Sequence, residues 1–316
     1  MTRILPTPDG TPASRFAFGT MQFGGRADEA QSAEMYAACR AAGINHFDTA
    51  WVYTSGDSEN ILGRLVQDAR DKLLIATKVG YTGGAGAENM RAQLDTSRAR
   101  LGLDRVDILY LHRFDAETEL RETLECFAEF KQQGLIRYVG LSNFAAWQVV
   151  KAQMIGAEFD LSIDILQPMY SLVKRQAEVE ILPMCADQDI AIAPYSPLGG
   201  GLLTGKYAAD GAEGRLREDA RYNSRYGQAW MHEAARRLSA LAAEHGLAPA
   251  TLAVGWAAAH LAAPMPIISG RTAEQIAPSL AALDVQMTPE LYDAIAALSP
   301  RPAPATDRLE EQEMGA

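Results

Sequence analysis

KLLIATKVGYTGGAGAENMRAQLDTSRARLGLDRVDILYLH, from Lys72 to His112, sets two apolar runs of strand length around a segment of helical period. The runs at 72–79 and 106–112 are apolar almost throughout, as strands buried on both faces are. The segment 88–102 between them reads as an amphipathic helix ending at a glycine. Strand, helix, strand in that order predicts one βαβ unit of a parallel sheet. Each strand carries a polar residue at its C-terminal end, Lys78 and His112. In parallel sheets that edge is where loops gather and ligands bind.

The same alternation extends outward in both directions. ILPTPDGTPASRFAFG reads as a short hairpin turning at Asp9-Gly10, followed by a first strand ending near Phe18. A helix at 28–43, with Gly43 as its C-cap, a strand at 44–50 and a helix at 58–69 lead to the quoted unit. After it come a helix at 119–134, a strand at 136–142, a helix at 145–156, a strand at 162–167, a helix around 180–189 and a strand at 190–196. A loop over 197–227 precedes helices at 228–245 and 249–262, a strand at 265–269, and helices at 272–283 and 289–299. Eight βα units predict an α/β fold of the (β/α)8 TIM-barrel type, with a short N-terminal hairpin and extra C-terminal helices. An open doubly wound sheet would carry a phosphate-binding glycine fingerprint after its first strand, and GTMQFGG (19–25) fails that pattern. No domain boundary appears, so 1–316 is expected to be a single barrel domain. The proline-rich, then acidic, tail at 300–316 is expected to be mobile unless it folds over the barrel mouth.

The 316 residues are 48% hydrophobic and 22% charged, with a formal net charge of −11. That charge and the scattered basic residues argue against nucleic acid or an anionic membrane as partner. The N-terminus lacks the regions of a signal peptide, and no apolar stretch is long enough to span a bilayer, so a cytoplasmic location is expected. Cys39, Cys126 and Cys185 fit neither a disulfide framework nor a metal site and read as buried thiols. No metal is expected. Trp147, Trp230 and Trp256 fall in helical patterns and read as packing residues.

Asp48 and Tyr53, in NHFDTAWVYTSGDSENILG (45–63), join Lys78 and His112 at the ends of three neighbouring strands. A carboxylate, a phenol, an ammonium and an imidazole together make a site that protonates or deprotonates an oxygen. When hydride adds to a carbonyl carbon, charge grows on the oxygen and a nearby donor must protonate it. A free tyrosine, with a pKa of about 10, is a slow acid–base group at neutral pH. A lysine beside it favours the phenolate and lowers that value, and an aspartate fixes the lysine. A histidine can donate a second hydrogen bond to the oxygen and orient it.

These segments resemble the aldo-keto reductase superfamily over nearly the whole chain. FDTAWVY, IATKV and LYLHR are similar to its catalytic stretches. VGLSNF, ILQPMYSL, YSPLGGGLLTGKY and PIISGRTAEQIAPSL are similar, in order, to its cofactor-binding stretches. The resemblance implies a catalytic tetrad of Tyr53, Asp48, Lys78 and His112, and a nicotinamide dinucleotide held without a Rossmann fold. It places Ser142, Asn143 and Gln167 on the carboxamide and Tyr195 against the ring. Ser196, Pro197, Leu198, Gly200 and Lys206 would wrap the pyrophosphate. Ser269, Gly270 and Arg271, with Gln275 and Ser279, would hold the adenosine half, and Gly19, Thr20 and Met21 the loop after the first strand. Gln275 stands where arginine is common, and Pro278-Ser279 replaces a common Glu-Asn pair. Arg271 could clasp a 2′-phosphate, which favours NADP(H) over NAD(H). Trp51, Tyr81, Arg113 and Phe114 flank the loops and are expected to line the substrate side. Arg113 points to polar carbonyls such as sugars or hydroxy-aldehydes.

The expected function is an NAD(P)H-dependent reductase interconverting a small-molecule aldehyde or ketone and its alcohol, working as a monomer or homo-oligomer. The alternatives are a sugar dehydrogenase working mainly in oxidation, and a nucleotide-binding redox-sensing regulatory subunit with little turnover.

Overall fold

The computed structural model describes residues 3–208 and 215–312. Its strands are β1 Ala17–Gly19, β2 His46–Asp48, β3 Leu74–Val79, β4 Val106–Leu111, β5 Ile136–Ser142, β6 Ile165–Gln167, β7 Ala191–Ile192 and β8 Ile267–Ile268. Helices α1 Glu29–Ala41, α2 Asp57–Val66, α3 Ala87–Leu101, α4 Leu120–Gln132, α5 Ala146–Gly156 and α6 Ile181–Asp187 alternate with the first seven strands. Four helices, α7 Arg215–Glu218, α8 Ala220–Tyr226, α9 Ala229–Glu244 and α10 Pro249–Ala258, lie between β7 and β8, and α11 Ala273–Leu280 and α12 Pro289–Ala296 follow β8.

The strands pair in parallel in the order β7-β6-β5-β4-β3-β2-β1-β8. The two ends of that row meet. The Met265 and Ile267 N–H groups donate to Ile192 and Pro194 carbonyls, each at 2.8 Å, and Tyr195 bridges Ile267 in parallel. The result is the (β/α)8 barrel that the alternation predicted.

Side chains alternate between two apolar layers, as strand geometry requires. Ala17, Leu74, Ala76, Ile108, Tyr110 and Ile165 fill the barrel, while Phe47, Ile75, Val79, Leu109 and Leu111 pack outward against helices. Gly140 of β5 lies level with Tyr110, and a Cβ there would stand 2.3 Å from that ring. The glycine therefore makes room for the Tyr110 ring in the barrel interior. The N-terminal hairpin forms as expected, with Pro6 bridged to Pro12 and Gly10 at φ 91°. Its Leu5 joins the inner layer beside Ala17 and Leu74, closing the end of the barrel opposite the site.

Several expectations need correction. The expected loop at 197–227 contains a 3-10 segment, Gly199–Thr204, and the helices α7 and α8. Residues 209–214 of that stretch, and 313–316 of the 300–316 tail, lie outside the described residues. The helix expected over 249–262 stops at Ala258, and Ala263 just beyond it is left-handed at φ 46°. Trp256 is fully buried, but Trp147 is 62% exposed and Trp230 36% exposed, so neither is core packing. All three cysteines are free and buried. Among the described residues no helix is long and apolar enough to cross a membrane, and no group of three or more His, Cys, Asp or Glu could hold a metal ion.

Candidate active site

β2 and β3 pair so that Asp48 stands beside Ala76, with Lys78 two residues further along the same inward column. Lys78 lies level with Tyr110 of β4, and His112 follows that strand. The Lys78 ammonium forms an ion pair with Asp48 Oδ1, donates to Thr49 O at 2.7 Å and donates to Tyr53 Oη at 3.3 Å. Its three protons thus find three oxygens. Gln167 Nε2 donates to the second Asp48 oxygen at 2.9 Å. Lys78 is completely buried and Asp48 nearly so. The His112 ring stands edge-on to the Tyr53 ring, centroids 5.9 Å apart, and its Nδ1 is buried without a partner. The four residues drawn from three strands meet at the C-terminal edge of the barrel.

Burial works against the Lys78 ammonium, but Asp48 and Tyr53 outweigh it and hold its pKa above the ordinary value. Burial raises the Tyr53 phenol, and the Lys78 charge and hydrogen bond oppose that only in part. This differs from the expectation that lysine would set the direction, because desolvation of a phenolate is the larger effect here. The phenol therefore keeps its proton at neutral pH. Burial, then the Lys78 and Arg113 charges, push His112 down to about 3, so its imidazole is neutral.

Tyr53 opens a turn whose next three residues are all left-handed: Thr54 at φ 47°, Ser55 at 56° and Gly56 at 103°. Non-glycine residues in that region cost on the order of 1–3 kcal/mol each, and such strain clusters at functional sites. Thr54 Oγ1 donates to Phe23 O at 2.8 Å and accepts from the Ser58 N–H at 3.0 Å, which ties the turn down.

The other half of the mouth comes from the ends of β5 to β8. Asn143, left-handed at φ 58°, donates from Nδ2 to His112 O at 2.9 Å and to Ser142 Oγ at 3.1 Å. Tyr195 Oη donates to Asn143 Oδ1 at 2.7 Å. Beyond Tyr195 the chain turns through Ser196 and three successive left-handed glycines, Gly199, Gly200 and Gly201. A Cβ on Gly201 would lie 3.7 Å from Lys206 Nζ, so the ammonium stands against this glycine turn. Within the turn the Gly199 N–H donates to Ser196 O at 2.9 Å and the Gly201 N–H to Leu198 O at 3.0 Å, so the Lys206 cation and the room left by glycine, rather than free N–H groups, suit it to an anion. Thr272 caps α11 by accepting the Gln275 N–H at 3.2 Å, while Gln275 Oε1 accepts the Arg271 N–H at 3.2 Å.

Two expected contact residues have side chains turned into the protein. Thr20 bonds Ser58 Oγ at 2.8 Å and donates to Asp48 O, and Ser279 is fully buried with its hydroxyl unpartnered. On the substrate side, the Tyr81 ring lies 5.0 Å from His112, and the Arg113 guanidinium stacks 4.8 Å above Tyr81. Phe114 instead packs on Phe144 and Trp147. Tyr222 of α8 stands against the glycine turn, where a Cβ on Gly200 would lie 2.8 Å from its ring, and the Arg225 guanidinium lies 5.9 Å from the Tyr222 ring. Neither is legible in the sequence, because a seven-residue helix in a long connection leaves almost no periodic signal.

A profile of the Aldo/keto reductase family matches residues 15–300. A probable voltage-gated potassium channel subunit beta from Oryza sativa subsp. japonica is 32% identical over 269 residues, covering 79% of this chain and 81% of that one. Aflatoxin B1 aldehyde reductase member 2 from Rattus norvegicus is 36% identical over 220 residues, covering 68% of this chain but only 60% of that protein. The structure of the glycerol dehydrogenase AKR11B4 from Gluconobacter oxydans superposes with a TM-score of 0.81 at 26% identity, covering 93% of this chain and 94% of that one.

Proposed function

The chain belongs to the aldo/keto reductase family of oxidoreductases, and from that premise we propose that it interconverts a small aldehyde or ketone and the corresponding alcohol with NADP(H). The observation that carries this reading is the Tyr53 phenol 3.3 Å from an ammonium that is locked between Asp48 and Thr49. When bound, the nicotinamide supplies or removes the hydride. Tyr53 gives its proton to the carbonyl oxygen, and Lys78 stabilises the phenolate left behind. Asp48 keeps that ammonium charged and in place. Neutral His112 orients the oxygen through one N–H without competing for the proton. Trp51, Tyr81 and Arg113 bound the substrate side.

The residues present fit the cofactor. Asn143 Oδ1 and Ser142 Oγ keep acceptor capacity for a carboxamide NH₂, Tyr195 offers an aromatic face, and the Gly199–Gly201 turn with Lys206 suits a pyrophosphate. Arg271, ahead of the capped helix α11, favours a 2′-phosphate and hence NADPH. The experiment is to measure NADPH and NADH oxidation across aldehydes, ketones and aldoses, with alcohols and polyols run in reverse. We expect turnover with NADPH preferred, and Arg271→Ala to weaken NADPH about tenfold, roughly 1.4 kcal/mol, while leaving NADH nearly unchanged.

Two relatives favour other readings. Similarity to a glycerol dehydrogenase favours oxidation of a polyol. Similarity to the rice channel subunit favours a nucleotide-binding subunit. Faster turnover with polyols would establish the first. Tight NADPH binding with no turnover on the whole panel would establish the second.

A further inference from the structure

Behind the candidate site lies a buried ion pair that the proton chemistry does not use. Glu59 of α2 is completely buried. Its Oε1 accepts from Thr77 Oγ1 at 2.6 Å, and Thr77 is the residue before Lys78. Its Oε2 faces Arg100 of α3, whose Nη1 lies 3.2 Å away. The same Nη1 donates to Trp51 O at 3.0 Å, and the guanidinium stacks 5.4 Å from the centre of the Trp51 ring.

Arg100 also fills the space beneath the strained turn. A Cβ on Gly56 would stand 2.5 Å from Arg100 Cζ, so the guanidinium presses on the backbone three residues after Tyr53. The turn is thus gripped at both ends, at the Trp51 carbonyl and at Gly56. Its left-handed run of Thr54, Ser55 and Gly56 is a conformation that local sequence does not favour. Such a conformation persists only where surrounding structure over-determines it. A buried carboxylate also needs a partner, and here that partner spans from α3 to the turn.

We propose that Arg100, anchored by Glu59 and through it by Thr77, is a positioning residue that holds the Trp51–Gly56 turn and so sets where the Tyr53 phenol stands relative to Lys78. Planar Arg suits this task because one fork reaches carboxylate, carbonyl and ring together. The assignment rests on the reading of Tyr53 as the proton donor, so its test carries one readout that does not depend on turnover.

The test compares wild type with Arg100→Met, and with Arg100→Met/Glu59→Gln, in which no unpaired carboxylate stays buried. Both are assayed as full-length protein, with rates normalised to folded protein. Amide hydrogen exchange over residues 50–57 should accelerate at least tenfold in both variants. kcat for a model aldehyde should fall at least tenfold, while the dissociation constant for NADPH stays within about threefold. Arg100→Lys, which can reach one acceptor, should recover part of kcat. Unchanged exchange in the turn overturns the proposal whatever the activity, and so does faster exchange with wild-type kcat in the double variant. A wild type that turns over no substrate would sink the proposed function, and exchange would still decide whether Arg100 holds the turn.

Discussion

The two halves of the barrel mouth are built differently. Where β2, β3 and β4 end, the charged groups are bonded to one another and to backbone. Lys78 is saturated by Asp48, Thr49 and Tyr53, and each Asp48 oxygen has a donor, Lys78 on one and Gln167 on the other. Where β5 to β8 end, the chain turns through left-handed residues, and Asn143, Tyr195 and the glycine turn stand partly open. Proton transfer demands a fixed geometry before substrate arrives, because a small misplacement raises the barrier steeply. On the proposed function this half would grip a long dinucleotide at many points, and can rely on open side chains and accommodating glycines.

The comparison breaks most sharply at Tyr53. Tyr53→Phe should lower kcat by about 10²–10⁴, the usual contribution of a positioned general acid, while the NADPH dissociation constant measured by fluorescence titration changes little. Wild-type rates in that variant would remove the phenol from the proton step.

Acid should loosen the interior on the proton-transfer side. His46 of β2 is completely buried, with neither ring nitrogen partnered, and burial pushes it down to about 4. Nearby Asp48 and Asp107 pull the other way, and Lys78 adds to the fall. An imidazole with a lowered native pKa takes its proton first in the unfolded chain. The stability it contributes is therefore complete above the ordinary value of 6.5 and drains away as pH falls through about 4. His112 behaves the same way down to about 3. His46 alone accounts for on the order of 3 kcal/mol. Tm measured between pH 7 and pH 4.5 should drop, and less steeply in His46→Asn. Parallel curves for the two proteins would mean that His46 is not the acid-sensitive group.

A smaller effect is expected on the nucleotide side. Gly200 stands at φ 65°, and a Cβ there would sit 2.8 Å from Tyr222 Cδ1. Gly200→Ala should weaken NADPH about tenfold, roughly 1.4 kcal/mol, with kcat at saturation nearly intact. A fall in kcat with unchanged NADPH affinity would erase the division between the two halves.

Legibility follows the same division. Asp48, Lys78 and His112 stand out in the sequence because charged or polar residues seldom end apolar strands without a partner. Tyr53 is weaker by itself, since a lone tyrosine in a loop is usually packing, and it emerges only together with Asp48, Lys78 and His112. His46 hides inside its apolar run. Arg100 and Glu59 are invisible there, because a helical arginine and glutamate 41 residues apart look like ordinary surface charges. The inward turn of Thr20 and the exposure of Trp147 also escape periodicity, which says which side of an element is apolar but not what covers it.

Taken alone, the chain determined the alternation of strand and helix, the closure of eight units into a barrel, and the edge at which its polar residues gather. Those follow from apolar runs of strand length, from the 3.6-residue period of the helices between them and from the count of eight such units. The tertiary structure decided the protonation of Tyr53, the neutrality of His112 and the grip of Arg100 on a strained turn. Each depends on dielectric surroundings and on neighbours brought from distant segments, and no local pattern encodes them.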